Sequence, residues 1–172
     1  MAYRGAYTKY GSKTTSQIAS LTGMETGDSV FNSDYGMNEY YNGVVWCGNN
    51  TITITAGATI SEGQLCQILY STGGGTALLL NGTLFTNARL GIGVCQYGGI
   101  AGSTIVLRIC GMAKCRVGSA GVTTNTYATM STSQAGAISS ISFPTTGCIG
   151  RVLQTQTSGN LAQVLLTFIE RG

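Results

Sequence analysis

From about residue 51 onward the chain is written in short runs where apolar and polar residues alternate. Thr51-Ile52-Thr53-Ile54-Thr55 alternates strictly, which is the two-residue period of a strand with one buried face. Comparable runs follow at 64–70, 77–80, 92–96, 104–109, 112–117, 126–130, 149–154 and 162–169, with Gly, Ser, Asn and Thr between them. Many short strands at this spacing, without a sustained helical period, predict a barrel or a sandwich. Two phrases occur twice. Ile92-Gly93 leads through Gly102 to the strand 105–109, and Ile149-Gly150 leads through Gly159 to the strand 164–168. Ahead of them, residues 58–66 match residues 120–128. The body, 51–172, therefore reads as two similar β units, about 51–110 and 112–170. Gly111 lies between two strand runs, as a bulge, a kink or the corner of a bend.

The first fifty residues carry a different pattern. Over 28–50, Asp34-Tyr35-Gly36 and Asn42-Gly43 are turn signals, and Asn-Gly favours a two-residue type I′ hairpin. That turn sets Tyr41 against Val44, Tyr40 against Val45 and Glu39 against Trp46. The result is a small meander carrying Phe31, Tyr40, Tyr41 and the single Trp, Trp46. Three short strands bury little, so its aromatic face is expected to pack on the body or on another molecule. Residues 1–27 have no strong period. Thr15 to Leu21 offers one or two helical turns, with Thr14 or Thr15 as cap and Gly23 as stop. The expectation for 1–27 as a whole is an extended arm that orders on a partner. The fold class is thus all-β: a barrel- or sandwich-like body preceded by an extended N-terminal arm and a small β meander.

Composition sharpens this picture. Charged residues are only 9% of the chain, against roughly 25% in an ordinary soluble domain, while apolar residues are 43% and glycines number 26. Enough apolar side chain is present for a core. A surface so poor in charge risks self-adhesion in a free monomer and suits a subunit of a larger assembly. The net charge of +3 is unevenly placed. Arg4, Lys9 and Lys13 make the start basic; Glu25, Asp28, Asp34 and Glu39 make the next stretch acidic. Arg89, Arg108, Lys114, Arg116 and Arg151 face one acid, Glu62, in the body before the C-terminal tail. As a group they point to an acidic partner surface, whereas no basic run with interleaved aromatics calls for direct nucleic-acid binding. Arg4, Lys9, Lys13, Phe31, Tyr40, Tyr41 and Trp46 are the candidate interface residues, because Tyr and Trp favour interfaces.

Catalytic and cofactor chemistry finds no support. The chain has no histidine, which removes the Ser-His-Asp and Cys-His arrangements. Its few carboxylates are scattered, so a glycosidase pair is not expected. Gly73-Gly74-Gly75-Thr76 lacks the lysine of a P-loop, and Gly91-Ile92-Gly93 lacks the third glycine of a dinucleotide turn. Both read as loops. Asn49-Asn50-Thr51 and Asn81-Gly82-Thr83 match glycosylation sequons by chance. Cys110 and Cys115 lack a second pair to complete a zinc site. No enzyme activity, cofactor or metal is therefore expected. No signal peptide or membrane-spanning run is visible. Synthesis in the cytosol, where thiols stay reduced, leads to the expectation that the six cysteines are free and mostly buried.

One resemblance covers residues 51–170. Ala58 to Cys66, Ala88-Arg89-Leu90-Gly91-Ile92-Gly93-Val94-Cys95, Gly102 with its strand, Gly111 to Val117, and Ile149-Gly150 to Phe168 resemble a family of small tailed-phage capsid decoration (cement) proteins. Residues 27–46 separately look like a short β module of phage tail-fibre and virion proteins. The resemblance implies a non-catalytic protein on the outer surface of an icosahedral capsid. It also implies the major capsid protein as partner, and self-association, with a trimer favoured. The alternative is a tail or head-fibre component involved in attachment. Copy number separates the two: hundreds per virion for a cement protein, a handful for a fibre.

Overall fold

The computed structural model describes residues 9–34, 37–48, 50–71, 74–79, 92–144 and 147–167. It divides into two units, Met1–Thr51 and Ile52–Gly172. Among the described residues the only helix has five residues and all else regular is strand. None of it is a helix long and apolar enough to cross a membrane.

In the first unit, β1 (Ser12–Lys13), β2 (Ser29–Asn32), β3 (Met37–Tyr41) and β4 (Trp46–Gly48) form one sheet in that order. Here the structure differs from the extended-arm expectation over residues 9–27. β1 runs parallel to β2, pairing Ser12 with Phe31 and Lys13 with Asn32. Helix α1 (Thr15–Ala19) follows, closed by a capping box at Thr14. The Thr14 hydroxyl accepts the Gln17 N–H at 3.3 Å, and Gln17 Oε1 accepts the Thr14 N–H at 2.9 Å. This reciprocal pair satisfies two donors that a helix start leaves open. Ile18 is fully buried. These residues supply the layer that a three-stranded meander lacks, so the sheet gains a core inside its own unit. Residues 1–8, Arg4 among them, lie outside the described residues.

The hairpin register also differs from expectation. Tyr41 pairs with Trp46, Tyr40 with Cys47 and Glu39 with Gly48, leaving a four-residue loop, 42–45. The Asn42 side chain causes this. Its Oδ1 accepts the N–H groups of Val44 at 2.9 Å and Val45 at 2.8 Å, which binds them into the turn and away from the ladder. Gly43 takes a φ of +95° there. The slip is two residues, so each side chain keeps its face.

In the second unit the doubled phrases become two copies of one topology. The first copy is β5 (Thr51–Ala56), β6 (Leu65–Ser71), β7 (Gly74–Leu79), β8 (Ile92–Cys95) and β9 (Thr104–Arg108). It closes as a barrel in the order β5-β7-β6-β8-β9, with β5 and β7 parallel. The second is β10 (Gly111–Arg116), β11 (Tyr127–Met130), β12 (Ile138–Ile141), β13 (Cys148–Val152) and β14 (Leu161–Leu166). Its sheet runs β10-β14-β13-β11-β12, and a parallel bridge between Val117 and Ile138 brings its edges together. The loops repeat as well. Ile60 and Gly99 exchange backbone bonds of 2.8 and 2.7 Å; Val122 and Gln156 exchange bonds of 2.8 and 3.0 Å. Gly102 and Gly159 both sit at positive φ.

Two sequence assignments shift, and one left open is decided. β12, Ala-Ile-Ser-Ser in approach, was masked by its serines; it is the counterpart of β7. Gly74 and Gly75 open β7, and Ile92 and Gly93 lie in β8, instead of forming loops. Gly111, at φ +79°, is the corner that turns the first copy into the second. Asn81-Gly82-Thr83 and residues 88–91 lie outside the described residues.

Each copy has its own core, at matched positions. Ile54, Ala56, Ile60, Cys66, Cys95 and Leu107 fill the first; Cys115, Val117, Val122, Ala128, Val152 and Val164 fill the second. Every fully buried Leu, Ile or Val side chain contributes roughly 1.5–3 kcal/mol. The second core also takes in Leu65 and Val94 from the outside of the first barrel, with Ile92 packed against it. The copies are joined by backbone too: Leu65 N–H donates to Gly136 at 2.8 Å, and Arg116 N–H to Gly63 at 2.7 Å. Gly63 allows this because a side chain there would run into Leu161 and meet the Arg116 nitrogen at 3.0 Å.

Candidate functional site

The candidate interface residues occupy opposite faces of the first unit. Trp46 points inward and is buried. Its ring lies 5.9 Å from Tyr10, nearly perpendicular, and 5.5 Å from Tyr41. Edge-on aromatic pairs contribute about 0.5–1.5 kcal/mol beyond burial of their area. Trp46 Nε1 has no hydrogen-bond partner among the described residues. Phe31 and Tyr40 look the other way, 36% and 51% exposed. Phe31 pairs with Asn38 and Tyr40 with Ser29, which makes the two aromatics diagonal neighbours on one outer face.

Lys9 and Lys13 are held within the same unit. Lys9 Nζ lies 2.8 Å from Asp28 Oδ2. The same carboxylate accepts the Glu25 N–H at 2.9 Å and the Tyr10 hydroxyl at 3.1 Å. Asp28 thus gathers residues 9, 10 and 25 around the start of β2. The Glu25 N–H first, and then Lys9, hold its carboxyl below the ordinary range. The hydrogen bond to Asp28 raises the Lys9 ammonium. Lys13 is half-buried on β1, and its carbonyl accepts the Ser33 N–H at 2.9 Å.

The interior of this unit carries one buried carboxyl that the sequence pattern did not single out as buried. Glu39 stands opposite Val30, almost fully enclosed. Asn32 Nδ2 donates to its Oε1 at 2.9 Å, and the same amide nitrogen reaches the Thr15 hydroxyl at 3.2 Å. Asp34 accepts the Thr15 N–H at 2.9 Å. The network ties α1 to the sheet. Buried polar groups persist only where such partners exist. Burial, and then the Glu39 charge, pushes up the neighbouring Cys47 thiol.

In the body the bases separate. Arg108 is buried, not surface-facing, and its Nη2 donates to Gln96 Oε1 at 3.3 Å. The acidic-partner grouping therefore loses it. Arg151 lies 4.5 Å over the ring of Tyr127, a cation–π contact. Lys114 and Arg116 alternate with buried Ala113 and Cys115 on β10. Arg89 lies outside the described residues. The sequence reading missed the large apolar side chains that the body exposes among the described residues: Ile100, Phe143, Leu153 and Leu165. Alternation along β14 was the available signal for Leu165, whose neighbours Val164 and Leu166 point inward.

Cys66, Cys95 and Cys115 are buried in the two cores as free thiols. Burial pushes all three up, Cys95 to about 11 and Cys115 to about 12. Among the described residues no cluster of three or more His, Cys, Asp or Glu gathers as a metal site.

No protein-family model matches the chain, and no curated protein matches it. Among solved structures, the chain is similar to the head fiber gp8.5 N base of bacteriophage phi29. The TM-score is 0.50 at 11% identity, covering 68% of this chain and 92% of that one. At this identity the likeness is one of fold.

Proposed function

We propose that the chain is a structural virion protein of a tailed phage that decorates the outer capsid surface and stabilises the shell by bridging major-capsid subunits. The observation behind the virion part of this reading is the likeness in fold to a phage head-fiber base. The cement-like phrases over 51–170 and the charge-poor composition support it. Chemically the reading needs no reacting group. It needs exposed contact area, repeated over many copies. Phe31 and Tyr40 offer such area on the first unit. A modest interface multiplied over a shell gains collective strength, because each bridge raises the cost of separating its neighbours.

The fold likeness also favours a second reading, the base of a head fibre, in which few copies sit on the shell and carry an attachment element. Purified chain mixed with undecorated shells, then sedimented and heated, tests both. Decoration predicts saturation at hundreds of copies and a higher disruption temperature. Saturation at a handful, with no thermal shift, favours the fibre base. A chain that stays in the supernatant at every ionic strength refutes both.

A further inference from the structure

The hairpin loop 42–45 holds an arrangement that neither the sheet nor the shell contact uses. Asn42 and Gly43 are both exposed. Asn42 Oδ1 accepts the Val44 N–H at 2.9 Å and the Val45 N–H at 2.8 Å. Two donors on one oxygen draw electrons away from Cγ, which opens the carboxamide carbon to a nucleophile. Both donors lie beyond Gly43 in the chain, so they fold the carboxamide back over the peptide that joins residues 42 and 43. The Asn42 backbone is fixed as well, since its N–H donates to the Val45 carbonyl at 3.1 Å.

A nucleophile lies next to that carbon. The Gly43 N–H makes no hydrogen bond among the described residues, and the residue is open to water. No side chain shields the nitrogen. The loop also keeps the position as glycine: its φ is +95°, which disfavours other residues, and a Cβ would meet the Thr26 hydroxyl at 2.8 Å.

We propose that Asn42 is a self-modifying site, at which the Gly43 nitrogen attacks Asn42 Cγ inside the folded turn and the carboxamide becomes a carboxylate with loss of ammonia. The steps balance. Hydroxide takes the Gly43 amide proton, and the nitrogen lone pair forms a bond to Cγ. The charge that develops on Oδ1 is met by the Val44 and Val45 N–H groups already aimed at that oxygen. The Cγ–Nδ2 bond then breaks, and Nδ2 leaves as ammonia with a proton from water. A cyclic imide remains, and water opens it at either carbonyl. Attack at Cγ restores the main chain and leaves aspartate at position 42. Attack at the backbone carbonyl leaves an isoaspartyl link, in which the main chain runs through Cγ. The net reaction is hydrolysis of one amide, and no oxidant or cofactor enters.

The two products differ in what they do to the hairpin. An aspartate carboxylate still accepts from Val44 and Val45, and as a charged acceptor it does so more strongly. The isoaspartyl link puts a further methylene into the main chain and moves the acceptor off the turn that sets the Tyr41–Trp46 pairing. Either product lowers the formal net charge of +3 by one unit. The hairpin whose β3 strand exposes Tyr40 thus has a second covalent state.

The test uses the folded full chain in warm buffer, from mildly acidic to mildly alkaline pH, with no shell present. Isoelectric focusing follows the more acidic species. Asn81-Gly82 repeats the dipeptide, so charge alone does not assign the site. Cleavage after Glu39 and Glu62 isolates residues 40–62, and mass spectrometry of that peptide locates the change and separates aspartate from isoaspartate. Conversion at position 42 should rise with hydroxide, with ammonia released. The same chain in concentrated urea gives the rate without the turn. Native chain should convert roughly tenfold faster, a smaller gain than a full oxyanion-hole donor supplies. Val44→Pro removes one donor at an exposed position; it should slow conversion in the native chain and leave the rate in urea unchanged. Circular dichroism checks that this variant keeps its fold, and the comparison of native with unfolded chain needs no variant. Conversion confined to position 81 refutes the proposal. Native conversion at position 42 no faster than in urea refutes it, and so does a folded Val44→Pro chain that converts at the wild-type rate. Shell binding enters none of these readouts, so failure of the capsid reading leaves the result standing.

Discussion

Replacing Gly150 by alanine should be among the most damaging single-methyl changes in the second unit, and the structure says why. Gly150 lies in β13, paired with Leu166 of β14. A Cβ there would run into the Leu165 carbonyl oxygen, with the Leu165 carbonyl carbon at 2.8 Å and Leu166 Cα at 3.0 Å. All three are backbone atoms of the strand to which β13 is bonded. No rotamer change relieves the clash, so the two strands must part. Overpacking of this kind costs about 1–3 kcal/mol. Each buried backbone group left without its partner adds about 1–3 kcal/mol. The sum is about 3 kcal/mol or more, which lowers the midpoint by about 6–12 °C in a chain of this size. Two sister changes calibrate the argument. At Gly93, its repeat partner, the nearest atoms are Leu107 Cβ at 2.8 Å and Cδ1 at 3.2 Å. Cδ1 can turn aside, but Leu107 Cβ moves only with its backbone and must give by a few tenths of an ångström; no contact there is as close as that to the Leu165 carbonyl oxygen, so Gly93→Ala should cost less, about 1–3 kcal/mol. At Gly159 nothing lies within 4 Å and only the φ of +80° resists a side chain, at about 1–2 kcal/mol. Thermal and urea unfolding followed by far-UV circular dichroism should rank Gly150→Ala lowest. If it melts with or above Gly159→Ala, the close backbone approach is not what holds that position as glycine.

Three further outcomes are expected. Asp28→Asn should destabilise the first unit at neutral pH. Because the folded carboxyl is held low, the contribution is complete above about pH 4, the ordinary aspartate range, and fades as pH falls through the lower folded value. A melting difference from wild type that persists in strong acid would refute this. The buried thiols should react slowly with a disulfide reagent at pH 8, Cys110 first, because it alone of the six is not buried. The raised values of Cys95 and Cys115 add stability below about pH 8.5 that is lost as pH rises through about 11 for Cys95 and about 12 for Cys115. Fast modification of all six in native protein would contradict it. Phe31→Ser with Tyr40→Ser should leave the melting temperature nearly unchanged and reduce loading onto shells, whereas Trp46→Ala should cost about 3–5 kcal/mol of stability. Sedimentation and melting curves separate the two, and a Phe31/Tyr40 variant that loads fully removes that face from the shell contact.

Much of the architecture was legible in the chain. Alternation at 51–55, the paired Ile-Gly phrases and the paired loops with Gly102 and Gly159 are local signals. A strand writes its period in neighbouring residues, and a turn that needs positive φ writes a glycine. What the chain could not write was pairing between distant segments. The parallel match of β5 with β7, and of Val117 with Ile138, joins residues far apart, and no local pattern encodes which strands meet. The hairpin slipped by two because Asn42 bound two backbone N–H groups, a choice made by side-chain geometry after the turn signal had been read. Residues 9–27 looked like a loose arm because β1 is two residues long and its partner lies beyond α1. Only tertiary contact decided which aromatics are buried, since Tyr40 and Tyr41 are adjacent and alternate faces. The same holds for the two copies of the repeat. Equivalent rows, Leu65-Val94-Arg108 and Tyr127-Arg151-Leu165, differ in exposure because one copy covers the other, and burial belongs to the assembly of strands and not to any single one of them.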